Sequence, residues 1–292
     1  MWPADQIARV LLAPPRGVKA IDFARPAGAP ALFAPDSVTW AVMKNPISLL
    51  IGGIAAVIME LAEPRVRTGV WEHTHFREDP AGRIRRTGYA ALATTYAPAE
   101  QARALIARVN AMHARVGGVT PAGLPYRADD PELLAWVYAT AQFGFVEAYC
   151  RYGCDLSAEE RDRFYAEAVA VAALWGVREV WRSATEAETL FQRMRPKLER
   201  SDIVFEFLQI LRRAPLLPSL ARPVQGLAIR AAVELTPAWA RDVLGLGPRL
   251  GLPFGGGLLL RTLGAAGERI VLDAPPAQAC ARMGLARAYL YR

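Results

Sequence analysis

Cysteine, histidine and uninterrupted apolar sequence are all scarce in this chain, and each scarcity excludes something. Three cysteines in 292 residues, Cys150, Cys154 and Cys280, are an odd number and too few for a disulfide framework, which points to a reducing compartment. Cys150 and Cys154 stand at i and i+4 without a second pair, so they make no zinc site and read as buried thiols. The longest apolar run, Ile47 to Leu61, is interrupted by Ser48 and the Gly52-Gly53 pair and is too short to span a bilayer. The first residues, MWPADQIARVLLAPPRG, place an acid ahead of a short apolar patch and make a poor signal peptide. A soluble, cytoplasmic protein is the expectation. No Ser/Gly-rich or charged linker divides the chain, and no repeat occurs at a solenoid period.

What is present is apolar and basic. Apolar residues make up 53% of the chain and the formal charge is +7, so a large core can form, with room to enclose an apolar ligand. The excess charge is mostly arginine, scattered among acids over several segments instead of gathered into a stripe with stacking aromatics, which argues against nucleic acid. An anionic ligand or peripheral contact with an acidic membrane surface fits the charge equally well.

Helix punctuation is frequent. Asn45-Pro46 opens a buried segment that Pro64 closes; Asp130-Pro131 opens a helix running to Gly153; Ser157-x-x-Glu160 and Ser183-x-x-Glu186 have the form of capping boxes, the first for a helix ending at Gly176; Ser201 or Asp202 starts another, and Thr236-Pro237 opens a short one stopped at Gly245. Hairpin patterns are absent, and one short strand is expected near ERIVLDA. The spacing predicts an all-α protein with one multi-helix domain over residues 40–245, an N-terminal extension over 1–39, and a Gly/Pro/Leu-rich tail over 246–292 placed to cover a pocket. Gly255 to Gly257 read as a flexible turn, since they lack the context of a phosphate loop or a dinucleotide fingerprint.

Few residues are left for chemistry. In QARALIARVNAMHARVGG, Ala102, Leu105, Ile106, Val109, Met112 and Val116 recur at helical spacing, and His113 falls on their side, pointing inward. A core imidazole satisfied by a carbonyl and a metal or cofactor ligand are both open readings there. Upstream, Arg83, Arg86 and Thr87 stand at i, i+3 and i+4, so two guanidiniums and a hydroxyl share one helix face, either as a grip for planar anions or as a solvated basic face. One interior histidine with cationic partners for propionates is the minimum that an iron porphyrin needs. Two rival readings stand beside this one: a non-haem metal site at His73, His75 and Glu72, and a non-catalytic carrier of hydrophobic ligands.

Five segments in order, NPISLLIGG, LAEPRV, GVWEHTHFREDPAGRIRRT, ARVNAMHARVGG and GLPYRADDPELLAWVYAT, make the region from Trp40 to Gly176 resemble the haem-dependent oxygenase family of latex clearing protein (rubber oxygenase) and the MpaB-type oxygenases. The resemblance implies a globin-like helical core around one haem b, with His113 as the proximal iron ligand and haem-pocket roles for Arg83, Arg86 and Thr87. It further implies dioxygen and an apolar, isoprenoid-like molecule as substrates, with oxidative cleavage of a C=C bond as the leading reaction. The sequence departs from the family at two places. Arg86 stands where latex clearing proteins carry a lysine able to reach the iron, and arginine does not readily deprotonate to do so. Tyr138 stands where many relatives carry histidine. For the distal base of the family, Glu72 and Glu60 are the candidates.

Overall fold

The computed structural model of the chain describes residues 20–291, and within them the protein is mostly helical. The first helices follow from their caps. Helix α1 (Val38–Met43) starts where the Ser37 hydroxyl accepts from Trp40 N; α2 (Pro46–Glu60) starts at Asn45, whose side-chain oxygen accepts from Ile47 N and Ser48 N, with proline in the first turn. Glu63 caps α3 (Pro64–His73) and Asp79 caps α4 (Pro80–Tyr96), each again with proline leading. Helix α5 (Ala99–His113) ends at the histidine singled out above. An antiparallel pair, β1 (Gly117–Val119) and β2 (Pro125–Arg127), follows directly, with Gly118 opposite Tyr126.

Asp130 caps α6 (Pro131–Tyr152), and a complete capping box between Ser157 and Glu160 opens α7 (Ala158–Glu167). The chain continues through α8 (Val169–Leu174), α9 (Ala184–Met194), α10 (Asp202–Arg213), α11 (Arg222–Leu235), α12 (Ala238–Leu244), α13 (Gly256–Arg269) and α14 (Pro275–Arg282).

The core is organised by α2 crossing α6. Ile51, Ile54, Ile58, Trp136, Ala139 and Val146 are buried in this cluster, and the backbones meet at two glycines: a Cβ on Gly52 would lie 2.4 Å from the Gly144 carbonyl oxygen, and one on Gly144 would lie 2.3 Å from that of Gly52. Helix α11 covers another side of α2. A second buried cluster joins α1, α4 and α14 through Trp40, Tyr89, Tyr96 and Cys280. Arg282 of α14 reaches back to residues 20–37, donating to the carbonyls of Phe23 (2.6 Å) and Ala29 (2.9 Å). Helix α13 is tied to the start of α2 by a buried polar knot. Glu268 pairs with Lys44 at 2.8 Å and accepts from Asn45 Nδ2 (2.7 Å) and Tyr149 OH (2.9 Å), while Asn45 Nδ2 also donates to the Gly264 carbonyl.

Several expectations are corrected. The hairpin β1–β2 was not predicted; its strands are too short to show alternation, and they are brought together through Tyr126. Residues 270–273 form no strand: Glu268 and Arg269 complete α13, and extended backbone follows. The triple glycine is the start of α13, with Gly255 in the left-handed region (φ 77°) as its cap and Gly256 buried. Pro64 opens a helix of its own, and the segment after Ser157 breaks at Ala168 into two helices. Ser183 caps α9, but Glu186 accepts from Arg182 N instead of closing a box. Of the three thiols only Cys280 is buried; Cys154 is exposed. The expected leader-free N-terminus lies outside the described residues. Among those described, no single helix is long and apolar enough to cross a membrane; α2 and α3 together would be, but they are bent by 111° at their junction.

Candidate active site

Three helices bring titratable groups close enough to act on one another through Arg83: α2 with Glu60 at its C-terminal end, α4 with Arg83 in its first turns, and α5 with His113 as its last residue. Glu60, Arg83 and Tyr138 each keep some accessible surface, yet burial is the largest influence on the ionisation of all three.

Burial pushes the Glu60 carboxyl up to about 7, against the opposing pull of the Arg83 guanidinium and of Thr140. The Thr140 hydroxyl also donates to the Val137 carbonyl at 2.9 Å. Burial thus favours the neutral acid, while Arg83 and Thr140 favour the carboxylate. Burial, and with it the like charge of Arg86, pulls the Arg83 pKa down, against Glu60, which supports the charged form. Its guanidinium is held on its own helix by Thr87 Oγ1 at 2.5 Å. Arg86 turns toward the helix cap, 3.7 Å from Asp79 Oδ2.

His113 is half-buried. Burial and then the Arg83 cation hold its pKa down, with Asp129 opposing, so the imidazole is neutral near pH 7. Its Nδ1 is buried and has no hydrogen-bond partner among the described residues. Beside it lies a cavity of about 280 Å³, lined by Asn110, Asp129, Leu134, Trp175 and Arg178 among others. Val116 N and Arg127 close the end of α5, donating to the carbonyls of His113 (2.9 Å) and Ala114 (3.2 Å). The predicted apolar stripe is only partly inward: Ala102, Leu105 and Ile106 are buried, whereas Met112 is 55% exposed because the helix runs out past the body of the core.

The rival constellation does not assemble. His73 Nε2 meets Tyr126 OH at 3.0 Å and Glu72 approaches the same hydroxyl at 3.5 Å, while His75 is 87% exposed and reaches only Glu78. Among the described residues no group of three His, Cys, Asp or Glu side chains is placed to hold a metal ion. Glu72 belongs to this Tyr126 cluster and is not among the groups that act on Glu60, Arg83 or His113. Sequence reasoning missed Thr140 and Asp129. Both lie within motifs already noted, WVYAT and RADDP, and a polar residue on the inward face of so apolar a helix as α6 was the available signal for Thr140.

Residues 40–265 match the family described as ER-bound oxygenase mpaB/B'/Rubber oxygenase, catalytic domain. The chain belongs to this family. The match runs from α1 into α13 and so takes in Glu60, Arg83, Arg86, Thr87, His113 and Thr140. The mpaB/rubber oxygenase fold class is thus all-α in this chain, and its activity class is oxygenase. No curated protein and no solved structure matches the chain significantly.

Proposed function

We propose that this oxygenase is haem b-dependent, with His113 as the axial protein ligand, and that it uses dioxygen to cleave a C=C bond in an apolar, isoprenoid-like molecule. The observation that carries the reading is His113: a neutral imidazole whose buried Nδ1 has no partner, lining a cavity and lying close enough to the Arg83 cation to feel its charge. An axial ligand must offer a lone pair, and burial together with Arg83 keeps His113 in that form. Arg83 and Arg86 are permanent cations suited to carboxylates such as propionates, and half-buried Leu134, Val137, Phe145 and Trp175 supply apolar surface. The donor set fits. When bound, haem iron supplies the dioxygen chemistry.

The rest falls to the chain's own groups. The apolar side chains select a substrate without charge and exclude water. Glu60, poised near neutrality, can hold a proton at its carboxyl or take one up, and Arg83 beside it stabilises the ionised form. Thr87 fixes the Arg83 guanidinium, and Arg86 serves as a fixed cation, since its charge is not readily lost. The overall reaction balances without a reductant: one C=C and one O=O bond break, and two carbonyl groups form.

The absorption spectrum of purified protein tests the proposal. A Soret band is expected, and His113→Ala should abolish it; Glu60→Gln should retain the band while slowing turnover and flattening its pH dependence around 7. A colourless protein that takes up no haemin would end the reading.

A further inference from the structure

Most arginines whose heads are fixed on this surface are fixed by acids: Arg65, Arg67, Arg77, Arg127, Arg151, Arg161, Arg163, Arg193 and Arg287 all sit within 4.0 Å of a carboxylate. One region combines arginines outside any ion pair with long stretches free of acids. Residues 207–233 and 243–267 contain no Asp or Glu at all, and among the described residues none of Arg212, Arg213, Arg222, Arg230, Arg249 and Arg261 is in an ion pair. The two stretches are neighbours in space. Arg230 on α11 donates to the Arg249 carbonyl at 2.9 Å, and Leu227 lies against Gly256, where an added Cβ would meet it at 3.2 Å.

The same region holds the most exposed large apolar side chains among the described residues. Phe254 is fully exposed, Leu258 is 72% and Leu259 46% exposed at the start of α13, and Leu220 is 97% exposed at the turn leading into α11. Each such side chain alone is ordinary; together, in a field of unpaired arginines, they have two complementary requirements, apolar contact and negative charge. We infer that this face docks on an anionic lipid surface, with Phe254 and Leu258 entering the interface and the arginines on the phosphate level. A second copy of the chain would bring arginine to arginine, and the charge argues against it.

Vesicle sedimentation decides the matter independently of what His113 binds. The full chain should co-sediment with vesicles of phosphatidylcholine containing about one third phosphatidylserine, and far less with phosphatidylcholine alone or at about 0.5 M salt. The double variant Phe254→Ser/Leu258→Ser should bind at least about tenfold more weakly, and Arg222→Gln/Arg249→Gln should also bind more weakly, with reduced salt dependence. These side chains are solvent-exposed, so an unchanged thermal melt is expected and keeps the comparison fair. The inference is overturned if anionic vesicles are not bound, or if the double variant binds as well as the parent. It is equally overturned if light scattering shows a dimer that the double variant dissociates, or if the arginines bind short RNA more tightly than vesicles.

Discussion

Replacing Gly52 by alanine is the sharpest perturbation of the framework that carries Glu60. The new Cβ would lie 2.4 Å from the Gly144 oxygen and 2.7 Å from its carbon, against ordinary contacts of about 3.5 Å, so α2 and α6 must part by roughly 1 Å. The opposing atoms are backbone and cannot swing aside. Parting the main helix interface is overpacking of the costlier kind, about 3 kcal/mol, which in a domain of this size lowers Tm by about 6–12 °C. The separation also moves Thr140 away from Glu60, since each rides on one of the two helices. Gly53→Ala is the matched control. Its Cβ would meet only the Phe145 ring edge, at 3.8 Å, and a helix interior gains about 0.5–1 kcal/mol when glycine becomes alanine. Thermal unfolding followed by far-UV circular dichroism should therefore show the neighbours moving in opposite directions. If Gly52→Ala melts within about 1 °C of the parent, the close crossing is not as described and the argument fails.

The elevated pKa of Glu60 has a definite sign in stability. Because the folded state holds this proton up to about 7 and the unfolded chain releases it near 4.5, Glu60 costs the fold nothing below pH 4.5 and progressively more as pH rises to 7. Glu60→Gln removes that cost, so the variant should gain about 1–2 kcal/mol over the parent above pH 7, allowing for the accessible part of the side chain, with the difference vanishing toward pH 4.5 in urea titrations. Asn45→Ala removes a helix cap and leaves the Gly264 carbonyl and Glu268 short of a donor; a loss of about 2–4 kcal/mol is expected in the same titration.

Where a structural decision is made by adjacent residues, it was legible. Asp130-Pro131, Asn45-Pro46 and Ser157-x-x-Glu160 each start a helix at the residue expected, because a cap needs only its own backbone N–H groups. The hairpin after His113 was not legible: Gly117 and Gly118 have no strand propensity, and what fixes them is Tyr126, held by His73 from another helix. The start of α13 was hidden for a related reason, since only a left-handed Gly255 and the packing of Gly256 distinguish a helix start from a loose glycine run. In the site, His113 and the Arg83–Thr87 face could be found by helical spacing. Glu60 was only one acid among several, because its protonation depends on burial and on Arg83 and Thr140, which other helices bring near it.

The knot around Glu268 reaches further than its own hydrogen bonds. It fastens α13 to the opening of α2 across 219 residues of sequence, through Asn45 and the Gly264 carbonyl. Lifting α13 alone would strand the Lys44 ammonium inside the protein without its counter-ion. Helices α2 and α13 consequently open together or not at all, and their amides should exchange with solvent as a single cooperative unit. A protease cut in the exposed turn at 253–255 would leave two fragments that stay associated and melt as one.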